Sequence, residues 1–330
     1  PCRFGLYITE YKKALRDAGF EGLRITSFDH DKGIFQGDEI DDGILNFTPT
    51  FFITLTKSVI IGDIMNILGY KMRPYEVEAG SVYSAMKKCE DLVSEAFLEK
   101  KSLLTTLWKC RRVLEKVKLD RLQPKAKAMV MGEFWAAMTE GDGNYNLHRF
   151  LESEGAECIP QPIINRLLLN LWEAERALHK REHLQVEGAK KVDFSSVKTR
   201  ILIKAGKLAI QGHFNLYAKV IGLHDYEIPD MDKLARLGEE YYTLDCDGGE
   251  GHLEVAHLIE SVKENISHLV ISVKPFGCMP SSSVSDGVQS LVTSRFPEAN
   301  FLAIETSGEG AANFYSRVQM ALFKAKQSAK

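Results

Sequence analysis

The sequence predicts an α/β fold. A parallel four-stranded sheet occupies residues 123–330, and a largely helical stretch fills residues 1–122. Three observations predict it. In the second part, short apolar runs alternate with amphipathic segments, the pattern of strands joined by helical crossovers. From Leu45 to about Lys118, apolar residues recur at three- and four-residue spacing, as in Val59, Ile60, Ile64, Ile67 and Leu68. The chain has 330 residues, 45% hydrophobic and 26% charged, enough for two or three domains with substantial cores.

The elements follow in order. Tyr7 to Ala18 reads as a helix ended by Gly19, and Leu23 to Phe28 alternates like a short strand. Asp29 to Asp42 is polar and glycine-rich, hence a loop. Pro74 and Gly80 break the long helical stretch into at least two pieces. A boundary falls near Arg121 to Lys125. Beyond it, Ala126–Met131, Ala156–Ile159, His268–Val273 and Asn300–Ile304 read as the four strands. Gly132 to Asn144 reads as a loop. Leu147–Glu154, Pro162–Leu178, Leu253–Asn265, Val284–Arg295 and Ala311–Lys326 read as helices. Val197–Ile221 and Met231–Tyr242 read as helices of an insertion at about residues 190–243.

Composition excludes several classes. The formal net charge of −3 implies no large basic surface, so no nucleic-acid partner is expected. The longest apolar candidate for a membrane span, Phe51 to Leu68, is interrupted by Thr54, Lys57, Ser58, Asp63 and Asn66, so none is expected. No signal peptide is visible and none of the six cysteines forms a CxxC pair, which fits a reducing cytoplasm. The nine histidines show no zinc-ligand spacing. The chain opens on Pro-Cys-Arg-Phe-Gly without a methionine, so further residues are expected upstream.

Five stretches could carry chemistry. In Ile271-Ser-Val-Lys-Pro-Phe-Gly-Cys-Met-Pro280 a strand runs into a loop held by Pro275, Gly277 and Pro280. Ligands bind beyond the carboxyl ends of parallel strands, so Cys278 is placed as a nucleophile, a metal ligand or a bystander. Cys2 precedes a helix, whose amino-terminal dipole favours a thiolate. Asp245-Cys-Asp-Gly-Gly-Glu-Gly251 opens a helix, where free amides near Gly249 and Gly251 could hold an anion, or simply form a tight turn. Cys246 in that loop is a further ligand candidate. Glu133, Asp142 and Asn144 follow the first strand of the sheet and could bind substrate or position a neighbouring subunit. Glu305 to Gly310 could line the same cleft or cap the last helix. Cys89, Cys110 and Cys158 read as core thiols.

Pro-Cys-Arg-Phe-Gly at 1–5, Arg-Pro-Tyr-Glu-Val at 73–77, Gly-Gly-Glu-Gly-His-Leu-Glu-Val at 248–255, Lys-Pro-Phe-Gly-Cys-Met-Pro at 274–280 and Asn-Phe-Tyr-Ser-Arg at 313–317 together resemble one family. It is the activase-related group of the 2-hydroxyglutaryl-CoA dehydratase and benzoyl-CoA reductase superfamily, and the resemblance covers nearly the whole chain. It implies two Rossmann-like domains, the first truncated here, with a [4Fe–4S] or larger iron–sulfur cluster between them. Cys2 and Cys278 match ligand motifs of the two domains, and Glu133, Gly249 and Gly251 fall in the cofactor-binding region. The two cysteines are then expected to approach each other, but to leave a cluster under-ligated in this chain alone. The implied role is electron transfer, with an ATP-dependent activase module as partner and a CoA thioester as the eventual acceptor. A cluster-containing reductase of another small molecule and a non-catalytic interaction module are the alternatives. The group admits a homodimer.

Overall fold

The computed structural model describes residues 7–20, 22–23, 25, 27–29, 33–35, 48–183, 194–246, 249–307 and 310–329. The chain divides into two compact units, residues 1–55 and 56–330. The boundary expected near residue 122 falls inside the second.

The first unit holds α1 (Tyr7–Asp17) and a hairpin of β1 (Ser27–Asp29) and β2 (Gly33–Phe35). The two strands pair antiparallel, Ser27 opposite Phe35. β1 covers the end of the strand expected over 23–28, of which residues 24 and 26 lie outside the described residues, and part of the expected polar loop is its partner strand.

α2 (Pro49–Met72) begins in the first unit and runs into the second. By length and composition alone, Pro49–Tyr75 is long and apolar enough to cross a membrane, a test that the core helix of a soluble protein also passes. From Ile60 onward nearly every residue is buried. Asp63 is buried too: its carboxylate accepts the Ile163 amide at 3.0 Å and the Ile164 amide at 2.8 Å. It thereby caps α7 (Ile163–His183) from across the fold. Burial pushes its carboxyl up to about 6, against the two amide hydrogen bonds. Asp63→Ala leaves those amides without an acceptor and should cost about 2 kcal/mol in urea denaturation. Asp63→Asn should recover part of that loss.

A 3₁₀ turn at Arg73–Tyr75 ends α2 where Pro74 interrupts the helical pattern. α3 (Ser81–Leu98) and α4 (Leu103–Leu114) follow. They share one core with the second half of α2 and with Phe214, Tyr217, Ala218 and Ile221 of α8 (Phe194–Ile221).

The sheet comprises β3 (Lys127–Gly132), β4 (Glu157–Ile159), β5 (Leu269–Pro275) and β6 (Phe301–Thr306), all parallel in the order β4-β3-β5-β6. Both faces are covered, as a parallel sheet requires. Ala128, Val130, Ile271, Val273 and Ile304 face α5 (Phe134–Met138), α6 (Leu147–Ser153) and α13 (Ala311–Ser328). Met129, Met131 and Val270 face α10 (Gly251–Lys263) and α12 (Gln289–Arg295). α9 (Met231–Gly238) packs on α7 and α10. α11 (Met279–Ser283) passes through a π-helical segment, Val284–Val288, into α12. The helical path thus starts five residues before the expected Val284, and α5 occupies part of the expected 132–144 loop.

Candidate functional site at the switch point of the sheet

The strand order sets the position of the site. The chain leaves β3 toward β4 on one side and returns to add β5 on the other. The helices after β3 and after β5 therefore lie on opposite faces, and the ends of these two strands form the edge at which open parallel sheets bind their ligands. Glu133 follows β3 and Cys278 follows β5, so both stand there as the sequence predicts.

The two strands meet very closely at this edge. Gly132 has φ +129°, and a Cβ on it would lie 2.1 Å from the Val273 carbonyl oxygen. The Glu133 amide donates to the same oxygen at 2.9 Å. The Glu133 carboxylate accepts the Ala136 amide at 2.9 Å and so starts α5. On the other strand, Gly277 at φ +73° turns the loop, leaving Phe276 and Met279 exposed and Cys278 half-buried.

Cys278 ends a hydrogen-bonded chain. Its thiol donates to Ser281 Oγ at 3.7 Å, and Ser281 Oγ donates to Glu254 Oε1 at 2.9 Å. Ser272 of β5 donates to Glu254 Oε2 at 2.9 Å. Glu254 on α10 is fully buried. Burial pushes its carboxyl up to about 7, with Glu250 adding and the two serines and Lys274 opposing. Glu250 pairs with Arg166 at 2.9 Å, yet burial still raises its carboxyl, Glu133 contributing. Burial also pushes the Cys278 thiol up, and Glu133 and Glu254 add to this against the bonds to Ser281. These effects favour the thiol form of Cys278 over the thiolate.

The described end of the glycine-rich loop carries acidic side chains. Glu250 and Glu254 crowd the start of α10, and the Gly249 carbonyl accepts from Arg166 at 3.3 Å. A Cβ on Gly251 would lie 2.7 Å from the Tyr242 ring, so this glycine serves close packing. Cys246 is exposed, and its carbonyl contacts His252 Nε2 at 3.0 Å. Asn144 is fully buried and donates to the Ala136 and Thr139 carbonyls at 2.9 and 2.8 Å, fastening the end of α5. That removes it from the substrate candidates. Asp142 lies in a 3₁₀ turn. Glu305 faces Lys274 at 3.6 Å beside this edge. Cys89, Cys110 and Cys158 are buried, as expected.

Among the described residues, no three His, Cys, Asp or Glu side chains are disposed to hold a metal ion. Cys2 lies outside the described residues, so its expected approach to Cys278 does too. The described residues do not complete a ligand set for an iron–sulfur cluster around Cys278. The residues that sequence reasoning missed are Glu254, Ser272, Ser281, Lys274 and Arg166. Comparison of the chain with protein-family models, curated proteins and solved structures finds no match.

Proposed function

We propose that this chain is an iron–sulfur electron-transfer component that works with an ATP-dependent activase, with Cys278 as a ligand at the switch-point edge. The observation that carries the reading is the placement of Cys278, half-buried on a strand-end loop beyond β5. Its surroundings favour ligation over nucleophilic attack. The thiol is held protonated by burial and by Glu133 and Glu254, whereas a bound metal deprotonates a coordinating thiol outright. A cluster supplies the one-electron chemistry; the residues of this chain supply a ligand, burial and hydrogen bonds.

The test is anaerobic reconstitution of the full-length protein with iron and sulfide, followed by iron analysis and visible and paramagnetic-resonance spectra. Cys278→Ser should bind less iron and alter the spectrum, while Cys246→Ser should match the unmodified protein. Equal iron content and identical spectra for Cys278→Ser would rule the assignment out.

A further inference from the structure

A second site lies away from the sheet edge, between α3 and α4, and its chemistry is opposite in sign. A cavity of about 420 Å³ opens there, within the range of small-molecule sites. Its lining includes three apolar residues: Ala85 of α3, Val113 of α4 and Val117 just beyond it. Lys88, Lys116 and Lys118 stand around it, with Ser84 on the α3 wall.

The sequence places these groups together for a simple reason. Ser81, Ser84, Ala85 and Lys88 recur at three- and four-residue spacing, so they share one face of α3. Val113, Lys116 and Val117 repeat that spacing where α4 ends. Backbone bonds hold the rim. The Val77 amide donates to the Lys118 carbonyl at 3.1 Å, and the Asp120 amide donates to the Tyr75 carbonyl at 2.7 Å. Glu76 and Leu119 form the bridge between them.

The three lysines differ from the basic residues beside them. Lys87 pairs with Glu90 and Asp91, and Arg111 and Arg112 pair with Glu115. Among the described residues, Lys88, Lys116 and Lys118 have no ion-pair partner. The cavity carries one carboxylate in its lining, Glu78, against three ammonium groups. The start of α3 adds little to this charge, because Glu76 accepts the Gly80 and Val82 amides at 2.7 and 2.9 Å. Three exposed lysines without an ion-pair partner, beside apolar side chains, would complement an occupant with several negative charges and an apolar body.

The geometry points to an organic phosphate site here, of a size and polarity suited to a nucleotide diphosphate. The phosphates sit among Lys88, Lys116 and Lys118, each a compact cationic donor. The apolar body covers Ala85, Val113 and Val117. This site is separate from the Cys278 edge and does not depend on the function proposed for that edge.

Isothermal titration calorimetry of the full chain at low ionic strength tests the assignment, with ADP, inorganic pyrophosphate and adenosine as probes. ADP should bind saturably and weaken with added salt. Pyrophosphate should bind about tenfold more weakly for want of the apolar contact, and adenosine should not bind detectably. Lys116→Glu with Lys118→Glu should weaken ADP binding by about tenfold or more. These lysines are exposed, so the variants should retain the circular dichroism spectrum of the parent. Val113→Asp should weaken ADP more than pyrophosphate. Absence of saturable ADP binding, equal affinity for ADP and pyrophosphate, or an unchanged affinity in the double-lysine variant would each overturn the site.

Discussion

Gly132→Ala should destabilise the protein by at least about 4 kcal/mol, because overpacking against backbone and a forbidden φ act together. The added Cβ would stand 2.1, 2.7 and 2.9 Å from three backbone atoms of Val273. Backbone cannot swing aside as a flexible side chain does. Relief requires β3 and β5 to separate at this edge, which breaks the Glu133–Val273 hydrogen bond. At φ +129° the residue also sits where L-side chains are strained whatever the space. Denaturant titration of the variant, with thiol labelling of Cys278, reads both consequences. A variant within 1 kcal/mol of the parent, on the scale of a tolerated surface change of about that size, would show that the strands are not packed this closely.

Glu254 should make stability fall as pH rises. Its carboxyl is held at about 7 in the folded protein against an ordinary 4.5. Between these values the folded state keeps a proton that the unfolded chain releases. The stabilisation is therefore fully present below about pH 4.5 and is lost as pH rises through 7, amounting to about 3 kcal/mol. Ser272 and Ser281 hold the carboxyl, Lys274 favours its charge and Glu250 opposes it. Glu254→Gln preserves the shape without the titration. The stability difference between parent and variant should shift by about 3 kcal/mol toward the variant between pH 4.5 and 8. Comparing the two proteins cancels the contribution of Asp63, which titrates near 6 in both. A constant difference across that range would sink the assignment.

The strands of the sheet were legible because burial on both faces leaves near-continuous apolar runs, as in Leu269–Val273, where Ser272 alone is polar. Glu133 and Cys278 were legible as strand-end residues for the same reason. The helix at Phe134–Met138 was not. Glycines flank it, and its start depends on Glu133 as a cap, which looks like loop chemistry in sequence. The serine-rich 279–283 stretch also reads as loop, although Pro280 falls in a first helical turn, where its missing amide costs nothing. Glu254 was the hardest to see. Its one signal is an acid set among Leu253, Val255 and Ala256, where a solvated helix face would show a second polar residue beside it. The boundary expected near Arg121 rests on a polar linker, which reads as a domain junction in sequence. Across it, Arg73 pairs with Glu152 at 2.8 Å and Tyr75 donates to Glu157 at 2.7 Å.

The cap that Asp63 places on α7 also bears on how the chain reaches its fold. The capping carboxylate and the amides it accepts are 100 and 101 residues apart. Closing so large a loop costs entropy before the contact returns anything, and contacts of this span slow folding. The first turn of α7 should therefore be among the late features to form, after α2 has docked. Unfolding reverses the order: loss of α2 from the core frees the amide end of α7 at once, so the two helices belong to one cooperative unit in hydrogen exchange.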